Sequence, residues 1–171
     1  MSGNRRYSTK KIAQCGLLTA VMLVLGFIES LIPISVGVPG IKLGLSNGVL
    51  LFALYMMDAP TAFVLMILKV LLSGLLFGGV SAMMYAFAGG LLSMLGMILL
   101  KRMNFSVLAV SMAGGFLHNV GQVLLAMAVL QTSQLLYYLA ILVFAGLACG
   151  AITGIAARAT ISHMKKLNRK S

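Results

Sequence analysis

The sequence predicts an all-α integral membrane protein, a bundle of six transmembrane helices with both termini in the cytoplasm. Three observations predict it. Only 9% of the 171 residues are charged and 61% are hydrophobic, whereas a soluble globular domain carries about a quarter charged residues. Mean hydropathy is +1.08. Apolar runs divided by short polar or glycine-rich breaks fit six spans if each needs about 20 residues to cross the hydrocarbon core. Helices follow because a bilayer offers backbone groups no partners. A β-barrel would alternate in polarity over segments of about ten residues, and MILKVLLSGLLFG does not alternate. Residues 1–171 are read as a single transmembrane domain with basic tails at 1–11 and 158–171.

The first span, Ile12 to Leu31, follows a basic stretch as a signal peptide would, but no small-residue cleavage site ends the run. It is read as an uncleaved helix. Gly16 and Ala20 stand at i and i+4 in its first half, flanked by Ala13 and Cys15. Such a pair makes a flat groove for another helix, of this chain or of a partner. Pro33 to Lys42 is the longest external connection, and Pro33, Gly37, Pro39 and Gly40 stop the helix and shape the loop. The second span, Leu43 to Met57, is short, so it is tilted, partly re-entrant or entered through a structured loop.

Asp58-Ala59-Pro60 makes a tight cytoplasmic turn, with Asp58 able to cap the third span, Thr61 to Phe77. Phe77-Gly78-Gly79-Val80 turns the chain outside into the fourth span, Ser81 to Leu100. The fifth runs from Val107 to Leu130. Gln131-Thr132-Ser133-Gln134 is an outer loop, and the sixth span is Leu135 to Ala157. Gly89-Gly90 and Gly114-Gly115 mark close internal packing or kinks.

The formal charge of +11 raises nucleic acid as a partner, but position decides against it. Arg5, Arg6, Lys10 and Lys11 precede span one, Lys101 and Arg102 follow span four, and Arg158, Lys165, Lys166, Arg169 and Lys170 follow span six. With six spans all three clusters fall on one side, which the positive-inside rule assigns to the cytoplasm. The expected location is a bacterial cell membrane, multi-pass, with the basic excess facing anionic lipids.

Charges inside a bilayer are costly and mark function by default. Lys69 lies near the middle of span three, Glu29 toward the outer end of span one and Lys42 at the outer mouth of span two. His118, Asn119 and Gln122 fall within about one turn, with His118 and Gln122 on one face. Ser81 and Tyr85 are likewise i and i+4. Glu29, Lys42, Asn47, Lys69, Tyr85, His118, Asn119 and Gln122 are therefore the expected lining of a pocket open to the outside. Two readings of the charges stay open: Glu29 forms a structural ion pair with Lys69 or Lys42, or the surplus cation meets an anionic group of a ligand. Lys42 also allows snorkelling to the interface.

Catalysis is not indicated. Diphosphate chemistry needs aspartate-rich clusters for magnesium, and the chain has two acidic residues in all. There is no P-loop sequence and no nucleophile, base and acid set. Cys15 and Cys149 lack CxxC spacing and lie in opposite terminal spans, so neither a metal site nor a disulfide is expected. No cofactor is expected.

The stretches GLLTAVMLVLGFIESLIPI, PGIKLGLSN, KVLLSGLLFGG, YAFAGGLLSMLGM and GGFLHNVGQ together resemble the Gx transporter family, often labelled heptaprenyl diphosphate synthase component I. The match runs over nearly the whole chain. That family in turn is similar to the substrate-binding S components of energy-coupling factor transporters. The resemblance implies a six-helix membrane protein that binds a micronutrient from outside under its first external loop. It also implies partners, a transmembrane T component carrying two ATPases, and docking through small residues of helix 1. Gly16 and Ala20 occupy that spacing, with glycine at a place where alanine is usual. The family label implies a second role, a noncatalytic membrane subunit of heptaprenyl diphosphate synthase in isoprenoid-quinone metabolism. An autonomous transporter or channel is a third.

Overall fold

The computed structural model describes residues 9–31 and 44–168. Among them the chain forms α1 (Thr9–Leu31), α2 (Leu45–Met56), α3 (Ala59–Ser73), α4 (Gly79–Arg102), α5 (Val107–Leu130) and α6 (Leu135–Asn168), and no strand. A π-helical turn, Gly74–Gly78, joins α3 to α4. The expected loop from Pro33 to Lys42, with Leu43, lies outside the described residues.

Four continuous helical stretches are long and apolar enough to cross a membrane: Thr9–Leu31, Ala59–Arg102, Val107–Leu130 and Leu135–Leu167. The second of these folds back on itself. Gly79 turns at φ 75°, ψ 168°, in the left-handed half of conformational space that glycine enters without penalty. Beyond it, Met83 packs against Gly74 and Met66 against Gly90, so α3 and α4 are antiparallel arms. Helix α2 has 12 residues and reaches about 18 Å, short of a core about 30 Å thick. It is a short apolar helix, as the shortness of the second apolar run predicts.

Several boundaries differ from the sequence expectation, and two have a physical reason in the structure. Helix α3 begins at Ala59 rather than Thr61 because Asp58 Oδ1 accepts the Thr61 N–H at 2.8 Å and its hydroxyl at 2.6 Å. Helix α6 runs past Ala157 to Asn168, since Ala157 and Ile161 are buried and hold that extension to the core. Helix α1 starts at Thr9, ahead of Ile12, and α4 ends at Arg102, beyond Leu100.

Contacts run from α2 to α3, α4, α5 and α6 and back to α2, with α1 laid against α2 and α3. The tightest approaches use glycine. A side chain on Gly115 would meet the carbonyl of Gly146, and one on Gly121 would meet the backbone of Ala88 and Gly89. Without a hydrophobic drive between helices in lipid, such close backbone contact supplies the attraction. Outward-facing positions are apolar, including Leu17, Val24, Tyr137 and Phe144, while Met22, Leu51, Leu65 and Met94 fill the interior. Large apolar groups over the outer surface suit a lipid solvent.

Among the described residues, Lys11, Lys101 and Lys165 gather at one end of the bundle. Lys11 Nζ donates to Asp58 Oδ2 at 2.6 Å. Lys101 Nζ donates to the Leu54 carbonyl, an orphan acceptor at the end of α2, and lies 5.1 Å from the centre of the Tyr55 ring. Lys165 is close enough to repel the Lys101 charge.

Two predictions follow from this packing. Gly115→Ala should destabilise the purified protein by about 1–3 kcal/mol through overpacking, while Gly16→Ala, with nothing within 4 Å, should be neutral or stabilising in thermal unfolding. Asp58 is held down to about 2 by hydrogen bonds from Lys11 first and then from Thr61. A carboxyl lowered in the folded state stabilises above its unfolded value and loses that contribution as pH falls through the folded one. Thermal stability should therefore drop modestly between about pH 4 and 2, and Asp58→Asn should lose that limb.

Candidate functional site

Between the helices lies a partly open cavity of about 380 Å³, which reaches from Phe77 and Leu135 at the end away from the basic residues to Met97, Ser111 and Thr153 nearer to them. Helix α1 contributes Met22, Gly26 and Glu29, and the first turn of α2 contributes Gly44, Ser46 and Asn47. Lys69 and Ser73 come from α3, Tyr85 and Ser93 from α4, His118, Asn119 and Gln122 from α5, and Tyr138 and Thr153 from α6.

A hydrogen-bonded path joins three of these helices. Glu29, only 7% exposed, accepts the backbone N–H of Gly44. A carboxylate is stabilised there because the first N–H groups of a helix have no partner within it and carry the positive end of its dipole. Gly44 sits at φ 73°, which strains any residue with a Cβ. Its carbonyl accepts from the Asn47 N–H at 2.8 Å, and Asn47 Oδ1 accepts from Lys69 Nζ. Glu29 and Lys69 thus do not bridge to each other. Among the described residues the salt bridge is Lys11–Asp58.

Beside Lys69 a recess of about 10 Å³ is bordered by Asn47, Lys69, Ser93 and His118. It holds about one water-sized group. Gly89 lets α5 come close here, since a Cβ on it would press on the His118 carbonyl and lie 3.1 Å from Nδ1. Asn119 Nδ2 donates to the Leu142 carbonyl at 2.6 Å, in space left by Gly146. The Ser111 and Thr153 hydroxyls meet at 3.3 Å toward the basic end. Tyr85, Gln122 and Tyr138 add hydroxyl and amide groups to the wall. The arrangement suits a small molecule held by several hydrogen bonds within apolar walls.

The residues expected from sequence are brought together with one exception. Glu29, Asn47, Lys69, Tyr85, His118, Asn119 and Gln122 all border the cavity, while Lys42 lies outside the described residues. Gly16 and Ala20 are exposed on the outer face of α1, apart from the cavity. Cys149 borders the cavity and Cys15 does not; both thiols are free. No group of three metal-ligating side chains occurs among the described residues.

Sequence reasoning missed Gly26, Ser73, Phe77, Ser93, Ser111, Tyr138 and Thr153, all on the cavity wall. A four-residue spacing carried part of the signal: Ser93 and Met97 on α4, eight and twelve residues after Tyr85, and Tyr138, Leu142, Gly146 and Gly150 on α6. Ser73 stands one turn after Lys69. Single hydroxyls in long apolar runs gave no other mark.

Comparison with known proteins gives one family. No curated protein and no solved structure matches. The family model described as heptaprenyl diphosphate synthase component I matches residues 18–160, from the middle of α1 to the basic extension of α6. The chain belongs to the heptaprenyl diphosphate synthase component I family.

Proposed function

We propose that the chain is the substrate-binding membrane subunit of an energy-coupling factor type transporter, taking up a small micronutrient through the bacterial cell membrane. In this reading six passes put both termini inside, and the cavity opens outward beneath the loop that includes Lys42. Gly16 and Ala20 form the face of α1 that docks on a T component with two ATPases. No catalytic step and no cofactor is assigned to this chain.

The observation that carries the reading is the cavity, about 380 Å³ with polar groups from every helix. That volume lies within the range of about 300–1,000 Å³ usual for small-molecule pockets. The acids also argue for binding over synthesis. Glu29 is in the cavity and Asp58 is at the basic end, so the pair cannot hold magnesium against a diphosphate. The open groove at Gly16, where an added Cβ meets nothing within 4 Å, fits a face awaiting a partner helix.

The family description favours a second reading, a noncatalytic membrane subunit working with heptaprenyl diphosphate synthase. Affinity purification from the native membrane separates the two. The first expects an ATPase module, and the second an aspartate-rich prenyltransferase. Ligand flux through liposomes holding this chain alone would instead mark an autonomous transporter.

Two sets of variants test the reading. Gly26 faces open space on the cavity wall, so Gly26→Leu should abolish substrate binding and uptake with little loss of stability. Lys69→Ala and Asn119→Ala should lower affinity by about tenfold or more each, as loss of a buried hydrogen bond predicts. Gly16→Leu and Ala20→Leu should abolish ATP-driven uptake in cells but leave binding intact. Normal uptake in both would remove α1 from the docking surface.

A further inference from the structure

We infer that the molecule held in the cavity carries a protonated nitrogen and that Glu29 is its partner. This rests on the cavity being a ligand site and adds the class of ligand. The first support is the unequal state of the two charges on the cavity wall. Lys69 is engaged within the protein, with Asn47 Oδ1 and with further contacts. Glu29 is just as much part of the wall and is buried. Among the described residues it accepts the Gly44 N–H and forms no salt bridge. A carboxylate has about four acceptor positions, so one backbone bond leaves most of them open. Within a membrane protein a carboxylate without a counter-charge is costly and marks a functional position. A ligand that brings the missing cation removes that cost.

The second support is what shares the cavity with Glu29. Gly26, one turn earlier on the same face of α1, leaves open space on the wall in which a ligand nitrogen can approach the carboxylate. Cys149 of α6 borders the same cavity, and among the described residues Glu29 is the charged group that acts on its thiol. The field of the carboxylate therefore reaches from α1 to the wall formed by α6. The uncharged groups add further acceptors. Asn119 uses its Nδ2 on the Leu142 carbonyl, which leaves Oδ1 for a ligand. The Ser46 hydroxyl, two residues beyond Gly44 and 4% exposed, borders the cavity and takes no partner among the described residues. An ammonium group has three donors and suits such a set of oxygens. A neutral ligand would leave the carboxylate uncompensated, and an anionic one would be repelled by it, which costs binding free energy.

The test reads the charge preference of the cavity at Cys149. It uses the full chain in lipid nanodiscs with Cys15→Ser, which leaves one thiol. Three methanethiosulfonate reagents serve as probes: methyl (neutral), aminoethyl (cationic) and sulfonatoethyl (anionic). Labelling is followed by intact mass, and each rate is divided by the rate of the same reagent with free mercaptoethanol. On that scale the aminoethyl reagent should modify Cys149 about tenfold or more faster than the sulfonatoethyl reagent. Glu29→Gln, whose amide oxygen still accepts the Gly44 N–H, should abolish the preference. Equal scaled rates, a preference for the anionic reagent, or an unchanged preference in Glu29→Gln would overturn the inference. The comparison of reagents with Glu29 in place needs no Glu29 variant to fold. Failure of the underlying site reading shows separately, as a Cys149 that even the neutral methyl reagent leaves unlabelled, and it overturns both.

Discussion

The carboxylate of Glu29 accepting the backbone N–H of Gly44 is the contact on which the cavity depends. In a bilayer, polar groups find partners in the protein or not at all. A glutamate at the end of α1 and the unpartnered start of α2 solve each other's problem. The contact sets where α2 begins, and Asn47 one turn on then reaches Lys69 of α3. Three helices are thereby fixed around one space, and α2 can stay too short to span because its start is anchored inside the protein.

The opposite wall is built on a different basis. Helices α4, α5 and α6 approach so closely at Gly89, Gly115, Gly121 and Gly146 that backbone meets backbone. The same glycines that permit the approach leave space beside it, where His118 and Asn119 reach the cavity. A hydrogen-bonded side and a glycine-packed side together give a cavity with firm walls. The basic end is held by Lys11–Asp58 and by Lys101 on Leu54.

Much of this was legible in the sequence because the bilayer restricts the choices. Each apolar run became a helix, and the fifth matched from Val107 to Leu130. Seven polar residues chosen for their cost in lipid border one cavity, since sharing a polar space is the cheapest way to place them. What was not legible depends on tertiary contact. Nothing in the sequence shows that Glu29 turns to a backbone N–H rather than to Lys69, or that Gly26 faces empty space. The helical course of the basic tail depends on the burial of Ala157 and Ile161, which charge counting does not see. Gly16 and Ala20 were found as a pair by spacing, and both are exposed on α1.

The central claim is that the enclosed space is a site for a small molecule. Native mass spectrometry of the chain released from its own membrane tests it most directly. The account predicts a small-molecule adduct on the wild-type protein that is lost in Gly26→Leu, with both proteins folded. Each protein at its own bare polypeptide mass, with no small-molecule adduct on the wild type under conditions that keep bound lipid in place, would contradict it.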